Sequence, residues 1–200
     1  GYNETTPKLP AGQLPHAVKI LSAFLPLLGL EERLPHSLRF NEPDARVPLP
    51  QLAAGSQRVV LFPESRRAEK NWMGYESLTR CLLEQPTVGQ IVWCGHVPFE
   101  AVEPLQDERL INLTGQTSID QLPELLNAAD CVVSNDSGPM HLAAALGRPL
   151  VTLFGPTAPE RFGPYPPVES RQCVIRRADG DMSSISLEEV GEAVCSMLEV

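Results

Sequence analysis

The sequence has no cysteine pair at CxxC spacing, no apolar run long enough for a bilayer and no excess of basic charge, and each absence removes a class of function. The five cysteines stand at 81, 94, 131, 173 and 195, several within expected strands or helices, which fits reduced, mostly buried thiols better than a disulfide framework. No metal-ligand spacing is visible. The longest apolar run, Leu21 to Leu30, is broken by Pro26 and is too short to cross a membrane. No cleavable signal peptide is evident either. Sixteen basic residues against twenty-five acidic ones give a net charge of −9, which argues against nonspecific attraction to nucleic acid or anionic lipid and leaves room only for a local basic pocket. Neither an internal repeat nor a low-complexity tract is present.

What the chain does have is apolar content, 42% of its 200 residues, enough for one large domain or for one and a part of another. It begins at Gly1 rather than Met, as expected of a processed product or a fragment. Residues 1–15 are polar and proline-rich, so little order is expected there. Residues 16–30 place apolar side chains all around a short helix, implying burial on more than one side. Residues 31–57 hold four prolines without clear periodicity and read as a long connector. The division expected is therefore 1–55 as a linker and remnant of a preceding domain, and 56–200 as a folded domain.

From Arg58 onward strands alternate with helices. Strand Arg58 to Phe62 precedes a loop and a helix from about Trp72 to Glu84. Strand Gln90 to Cys94 ends in Gly95 and His96, with a helix expected from about Pro98 to Gln106. Strand Leu110 to Leu113 leads through Thr114 to Thr117 into a helix from Ser118 to Ala128, opened by a capping box between Ser118 and Gln121. Strand Cys131 to Ser134, a helix ending at Gly147, strand Leu150 to Phe154, strand Gln172 to Arg176 and helix Ser186 to Leu198 complete the pattern. Such alternation predicts an α/β fold with a doubly wound, Rossmann-like parallel sheet, whose ligands bind at the carboxyl ends of the strands.

The polar residues collect at that end. Ser137 and Gly138 open a helix, so their backbone N–H groups lack an intrahelical partner and stand at the positive end of the helix dipole. A phosphate or diphosphate suits such a place. Gly138 would let an oxyanion approach the backbone, and His141 falls one turn along on the face of Ser137. The alternative is that Asp136 or Ser137 merely caps the helix. In the loop after the first strand, Ser65, Arg66, Arg67 and Lys70 bring a hydroxyl and three cations to the same edge if the strands are parallel; otherwise they are a solvated charge run offset by Glu64 and Glu69.

The run Asp136, Ser137, Gly138, two residues, His141, Leu142, Ala143, Ala144 resembles the signature of glycosyltransferase family 9, the lipopolysaccharide heptosyltransferases. Residues 62–72 (FPESRRAEKNW) are similar to that family's first donor-domain loop and 154–164 (FGPTAPERFGP) to its last. The resemblance covers about residues 15–165, with its three motifs in order.

It implies the carboxy-terminal, nucleotide-sugar donor-binding half of a two-domain GT-B architecture. Lys70 would contact the diphosphate and stabilise the leaving group, Ser65 would bond a phosphate oxygen, and the turn from Thr114 to Thr117 would hold the adenine. Asp136 would bind sugar hydroxyls, with Ser137, Gly138 and His141 completing the donor site. A ribose-binding carboxylate is expected after Gly95. Glu100 is nearest, one residue away from the expected spacing, and His96 is the alternative. The implied reaction is transfer with inversion of a sugar, heptose from ADP-heptose, to a lipopolysaccharide-type glycan or glycolipid acceptor. It would need no metal or other cofactor, and it would take place in the cytoplasm or peripherally at the inner membrane. The catalytic base would lie in an amino-terminal domain outside this chain, leaving the chain inactive alone. Two other readings share these residues: a nucleotide-sugar epimerase of the same architecture, and a noncatalytic nucleotide-binding or assembly module.

Overall fold

The computed structural model describes residues 16–22, 25, 46–177 and 179–198. The calls on residues 1–15 and 31–45, and on most of 23–30, lie outside them. Of the helix expected over 16–30, Ala17–Ser22 is described and helical (α1).

Six parallel strands form one sheet: β1 (Gln57–Phe62), β2 (Val88–Trp93), β3 (Leu110–Asn112), β4 (Cys131–Asn135), β5 (Leu150–Phe154) and β6 (Gln172–Arg176), in spatial order β3-β2-β1-β4-β5-β6. The order reverses between β1 and β4, so their carboxyl ends flank the crevice where doubly wound sheets bind ligands. Alternate side chains serve opposite faces. Val59, Leu61, Cys131, Val133, Val151 and Leu153 pack on one side with α2 (Tyr75–Leu83) and α6 (Leu187–Leu198). Val60, Phe62, Val132, Leu150 and Phe154 pack on the other with α3 (Leu122–Asn127) and α4 (Gly138–Ala145). Both faces are covered, which is why the central strands are apolar throughout rather than alternating. A short helix, α5 (Pro159–Phe162), follows β5.

The connector joins this body at the amino ends of the strands. Val47 is buried among the α3 and α4 side chains, and its amide donates to Glu124 Oε2 at 3.2 Å. Buried Arg58 reaches Pro50 O at 2.9 Å, Gln90 Oε1 at 2.9 Å and Ala128 O at 3.2 Å. These bonds offset the desolvation that lowers its pKa.

Three expectations need correction. No helix forms between Pro98 and Gln106. Pro104 would break its interior, and side chains have taken the backbone groups: Phe99 N donates to Thr114 Oγ1 (2.8 Å), Asn112 Nδ2 donates to Phe99 O (2.7 Å) and Val102 N donates to Glu76 Oε2 (2.9 Å). The helix expected from Trp72 begins at Tyr75, because Trp72 instead turns inward. Gly74 makes room for it: a Cβ there would lie 2.2 Å from the indole ring. The helix expected from Ser118 begins at Leu122, with Pro123 in its first turn. The Gln121 side chain does reach back to Ser118 N (3.0 Å), the return half of the capping box, around a turn rather than a helix start. Other element ends move by a residue or so. Of the five free cysteines, Cys94 and Cys131 are buried, Cys173 and Cys195 half-buried and Cys81 exposed.

Candidate functional site

Two loops meet where the strand order reverses. After β1 the chain runs through a short 3-10 turn at Ala68–Lys70 before entering α2. After β4 it passes Asp136 and Ser137 into α4. Because β1 lies beside β4, with Phe62 paired to Ser134, Lys70 comes to lie against Asp136: Nζ to Oδ2 is 2.6 Å, with both side chains largely buried. The β5–α5 turn supplies a third member, Thr157, whose hydroxyl donates to the same Oδ2 at 2.5 Å.

Asn135, fully buried at the end of β4, fixes the first loop to the second. Its Oδ1 accepts from Trp72 N (3.3 Å) and Tyr75 OH (3.2 Å), and its Nδ2 donates to Pro63 O (3.3 Å). Trp72 Nε1 donates to Ile185 O at 2.9 Å and fixes the loop from behind. Burial pushes the Tyr75 phenol pKa upward, so that hydroxyl serves as a donor and not as an acid.

The start of α4 is open. Ser137 occupies the N-cap position with extended backbone (φ −152°, ψ 174°), but its side chain makes no capping bond and pairs with Ser134 Oγ at 3.1 Å. The first-turn N–H groups are thus left for other acceptors. A Cβ on Gly138 would meet no atom within 4 Å, so empty space stands over the helix start. His141 lies one turn further on and is exposed. The surrounding protein still desolvates the imidazole and pushes its pKa below the ordinary 6.5; Asp136 opposes the decrease, and His16 and Lys70 add to it. His16 belongs to the segment before α1. Its Nδ1 accepts from Val18 N (3.2 Å), so its Nε2 carries the proton that bridges to Gly163 O (3.1 Å).

Other residues singled out from the sequence stand further off or face inward. Ser65 is buried, and its hydroxyl engages the backbone of Arg67, accepting from N at 3.3 Å and donating to O at 3.4 Å. Arg66 is exposed, and exposed Arg67 pairs with Glu69 at 2.5 Å. Thr117 is half-buried, its Oγ1 3.1 Å from Cys94 Sγ. Its turn is held against the end of β2 by Gly115, which has φ +71° and donates N–H to Gly95 O at 2.8 Å. From β3 to β4 is three strand spacings, about 14 Å, a span that a nucleotide could bridge from base to phosphates. Glu100 is exposed and makes no hydrogen bond or ion pair among the described residues, and His96 is exposed.

Three polar residues at this edge have no role assigned from the sequence: Asn135, and Thr157 and Glu64 within the quoted loops. Glu64 Oε2 accepts from Val97 N at 3.0 Å and so lies between the β1 and β2 loops, where a carboxylate could meet a ribose. The signal for Asn135 and Glu64 is their position, a polar side chain within two residues of the carboxyl end of a buried strand. No group of three His, Cys, Asp or Glu among the described residues could hold a metal ion together.

The sequence model of glycosyltransferase family 9 (heptosyltransferase) matches residues 4–189. Lipopolysaccharide heptosyltransferase 2 of Escherichia coli K12 is 48% identical over 130 residues, 65% of this chain and 30% of that protein. Among solved structures, E. coli ADP-heptose lps heptosyltransferase II superposes with a TM-score of 0.60 at 29% identity, over 74% of this chain and 48% of the other. The E. coli heptosyltransferase WaaC with ADP superposes with a TM-score of 0.62 over 93% of this chain and 58% of the other; at 23% identity, that likeness shows the fold. The chain spans less than half the length of the relatives it matches in sequence.

Proposed function

The chain belongs to glycosyltransferase family 9, and on that premise we propose that residues 56–200 are the donor-binding half of an inverting heptosyltransferase. The observation that carries this reading is the convergence of Lys70, Asp136, Thr157 and the open start of α4 at the reversal of strand order. The diphosphate of an ADP-linked heptose would lie over Gly138, accept from the first N–H groups of α4 and draw Lys70 Nζ. Negative charge that develops on the leaving diphosphate is then met by a fixed dipole and a cation already in place, so no metal is needed for charge stabilisation. Asp136, repelled by phosphate, would turn to the sugar hydroxyls, with Thr157 steadying it. His141 stands beside both. The β3 turn ending at Thr117 would receive the adenine, and Glu64 or Glu100 the ribose. Ser65 in its present rotamer shapes the loop; reaching a phosphate would require it to release Arg67.

Acceptor recognition and the base that takes the acceptor proton would belong to the amino-terminal half of the complete enzyme. A lipopolysaccharide-type acceptor would place that enzyme at the cytoplasmic side of the inner membrane. No helix among the described residues is long and apolar enough to cross a membrane.

Calorimetric titration of the chain with ADP, with UDP and GDP as controls, tests the reading. Saturable ADP binding weakened by Lys70→Ala supports it. Binding that ignores Lys70→Ala removes the diphosphate from this pocket, and detectable sugar transfer by residues 56–200 alone removes the half-enzyme assignment.

A further inference from the structure

At the opposite end of the sheet, the amino-terminal ends of β1, β4, β5 and β6 surround a cavity of about 210 Å3 lined by Gln57, Asp130, Arg148, Ser170, Arg171 and Leu198, among others. Two of these are guanidinium groups without an ion-pair partner among the described residues. Among the described arginines, Arg46, Arg67, Arg80, Arg109, Arg176 and Arg177 have such a partner, and Arg58, Arg66 and Arg161 share its absence with these two. The carboxylate in the same cavity is engaged elsewhere: Asp130 Oδ2 accepts the amide of Arg58 at 2.7 Å.

Arg171 and Ser170 are exposed at the rim and Arg148 is half-buried, and each arginine has one backbone anchor. One arm of Arg148 donates to Ala129 O, and Arg171 Nη1 donates to Gly147 O at 2.9 Å. Arg148 Nε is buried with no hydrogen-bond partner and is closed to the cavity; the spare donors that face a ligand are the other Nη groups and Arg171 Nε. Ser170 Oγ has no partner among the described residues. Fixed guanidiniums with spare N–H groups are the usual receptors for oxyanions. Among the described lining residues, two cations stand against one carboxylate. Two guanidiniums and a hydroxyl offer more donors than a planar carboxylate accepts, and they match the several oxygens of phosphate. The volume lies below the ~300–1,000 Å3 of pockets that enclose drug-sized ligands and suits a small anion such as phosphate.

We propose that this cavity is a second anion site, separate from the donor pocket, in which Arg148, Arg171 and Ser170 bind a small phosphate-bearing ligand. The site does not depend on the function proposed above, since no residue of the donor loops contributes to it.

Inorganic phosphate titrated at constant ionic strength, followed by amide NMR, tests the proposal. In the wild-type chain and in Lys70→Ala, the amides of Asp130, Arg148 and Arg171 are expected to shift and saturate. In Arg171→Gln, the affinity is expected to fall by about an order of magnitude. Should Arg171→Gln disturb the fold, Ser170→Ala, which removes no cation and no hydrogen bond among the described residues, is expected to weaken binding in the same direction. Shifts confined to the loops after β1 and β4, equal shifts with chloride, or affinity unchanged in whichever of the two variants folds would overturn it.

Discussion

Lys70 Nζ stands 2.6 Å from Asp136 Oδ2, with the two side chains 13% and 6% exposed. Glu69 also acts on Lys70 and Asp136 on His141; on the function proposed above, the pair would be a cation held ready by a carboxylate that a diphosphate can displace. Removing Lys70 costs the ligand a charged hydrogen bond, about 1.5–3 kcal/mol. Lys70→Ala is therefore expected to weaken ADP between about tenfold and a hundredfold in calorimetry. Asp136→Asn has a different signature. It strands a buried ammonium and destabilises the free chain by about 3 kcal/mol, while ADP binds at least as tightly because the repulsive carboxylate is gone. Chemical denaturation with and without ADP reads both effects.

Gly138 separates ligand space from fold space. Since a Cβ there meets nothing within 4 Å, Gly138→Val is expected to leave the melting temperature within a few degrees of wild type, a change of under about 1 kcal/mol, and to abolish measurable ADP binding. Loss of both together would show that the space over α4 serves the fold.

Asn135→Leu is expected to be costly without touching a ligand. It leaves Tyr75 OH, Trp72 N and Pro63 O without their partner in a dry interior, at about 1–3 kcal/mol for each group that cannot find another. Tyr75→Phe removes a single bond and is expected to cost about 1 kcal/mol. In the double variant the Tyr75 hydroxyl is no longer orphaned, so its cost should fall short of the sum.

For His141 the sign is set by its lowered pKa. The unfolded chain binds the proton more readily, so His141 contributes stability that is fully present above pH 6.5 and is lost as pH falls through the folded value. His141→Gln is expected to flatten the stability profile below pH 6.5. A bound diphosphate favours the imidazolium, so ADP binding near pH 6 should take up protons. Titrations in buffers of different ionisation enthalpy detect that uptake.

Much of the fold is legible from local pattern. The runs Leu150–Phe154 and Gln172–Arg176 are strands over the spans that their apolar content and bounding turns predict. The segment after β2 is not legible, because Phe99 and Val102 give their amides to Thr114 and Glu76, partners that only tertiary structure brings near. The loops of the site announce themselves by composition. The pairing of Lys70 with Asp136 does not, since it follows from β1 lying beside β4, and alternation of strands and helices fixes parallel direction without fixing order. Thr157 is hidden for the same reason. Ser65 shows the converse: its residue type suits phosphate, but two residues away the Arg67 backbone offers it a nearer partner.

The indole of Trp72 hydrogen-bonds the carbonyl of Ile185, 113 residues further along the chain. Synthesis runs from the amino end, so β1 and its basic loop leave the ribosome long before that carbonyl exists. Until Ile185 emerges, the loop lacks its rear support and Lys70 is positioned only from the side of Asn135 and Asp136. The proposed nucleotide pocket is thus among the last parts of the domain to be completed, and a chain stopped before residue 185 could hold every motif residue and still lack its full support.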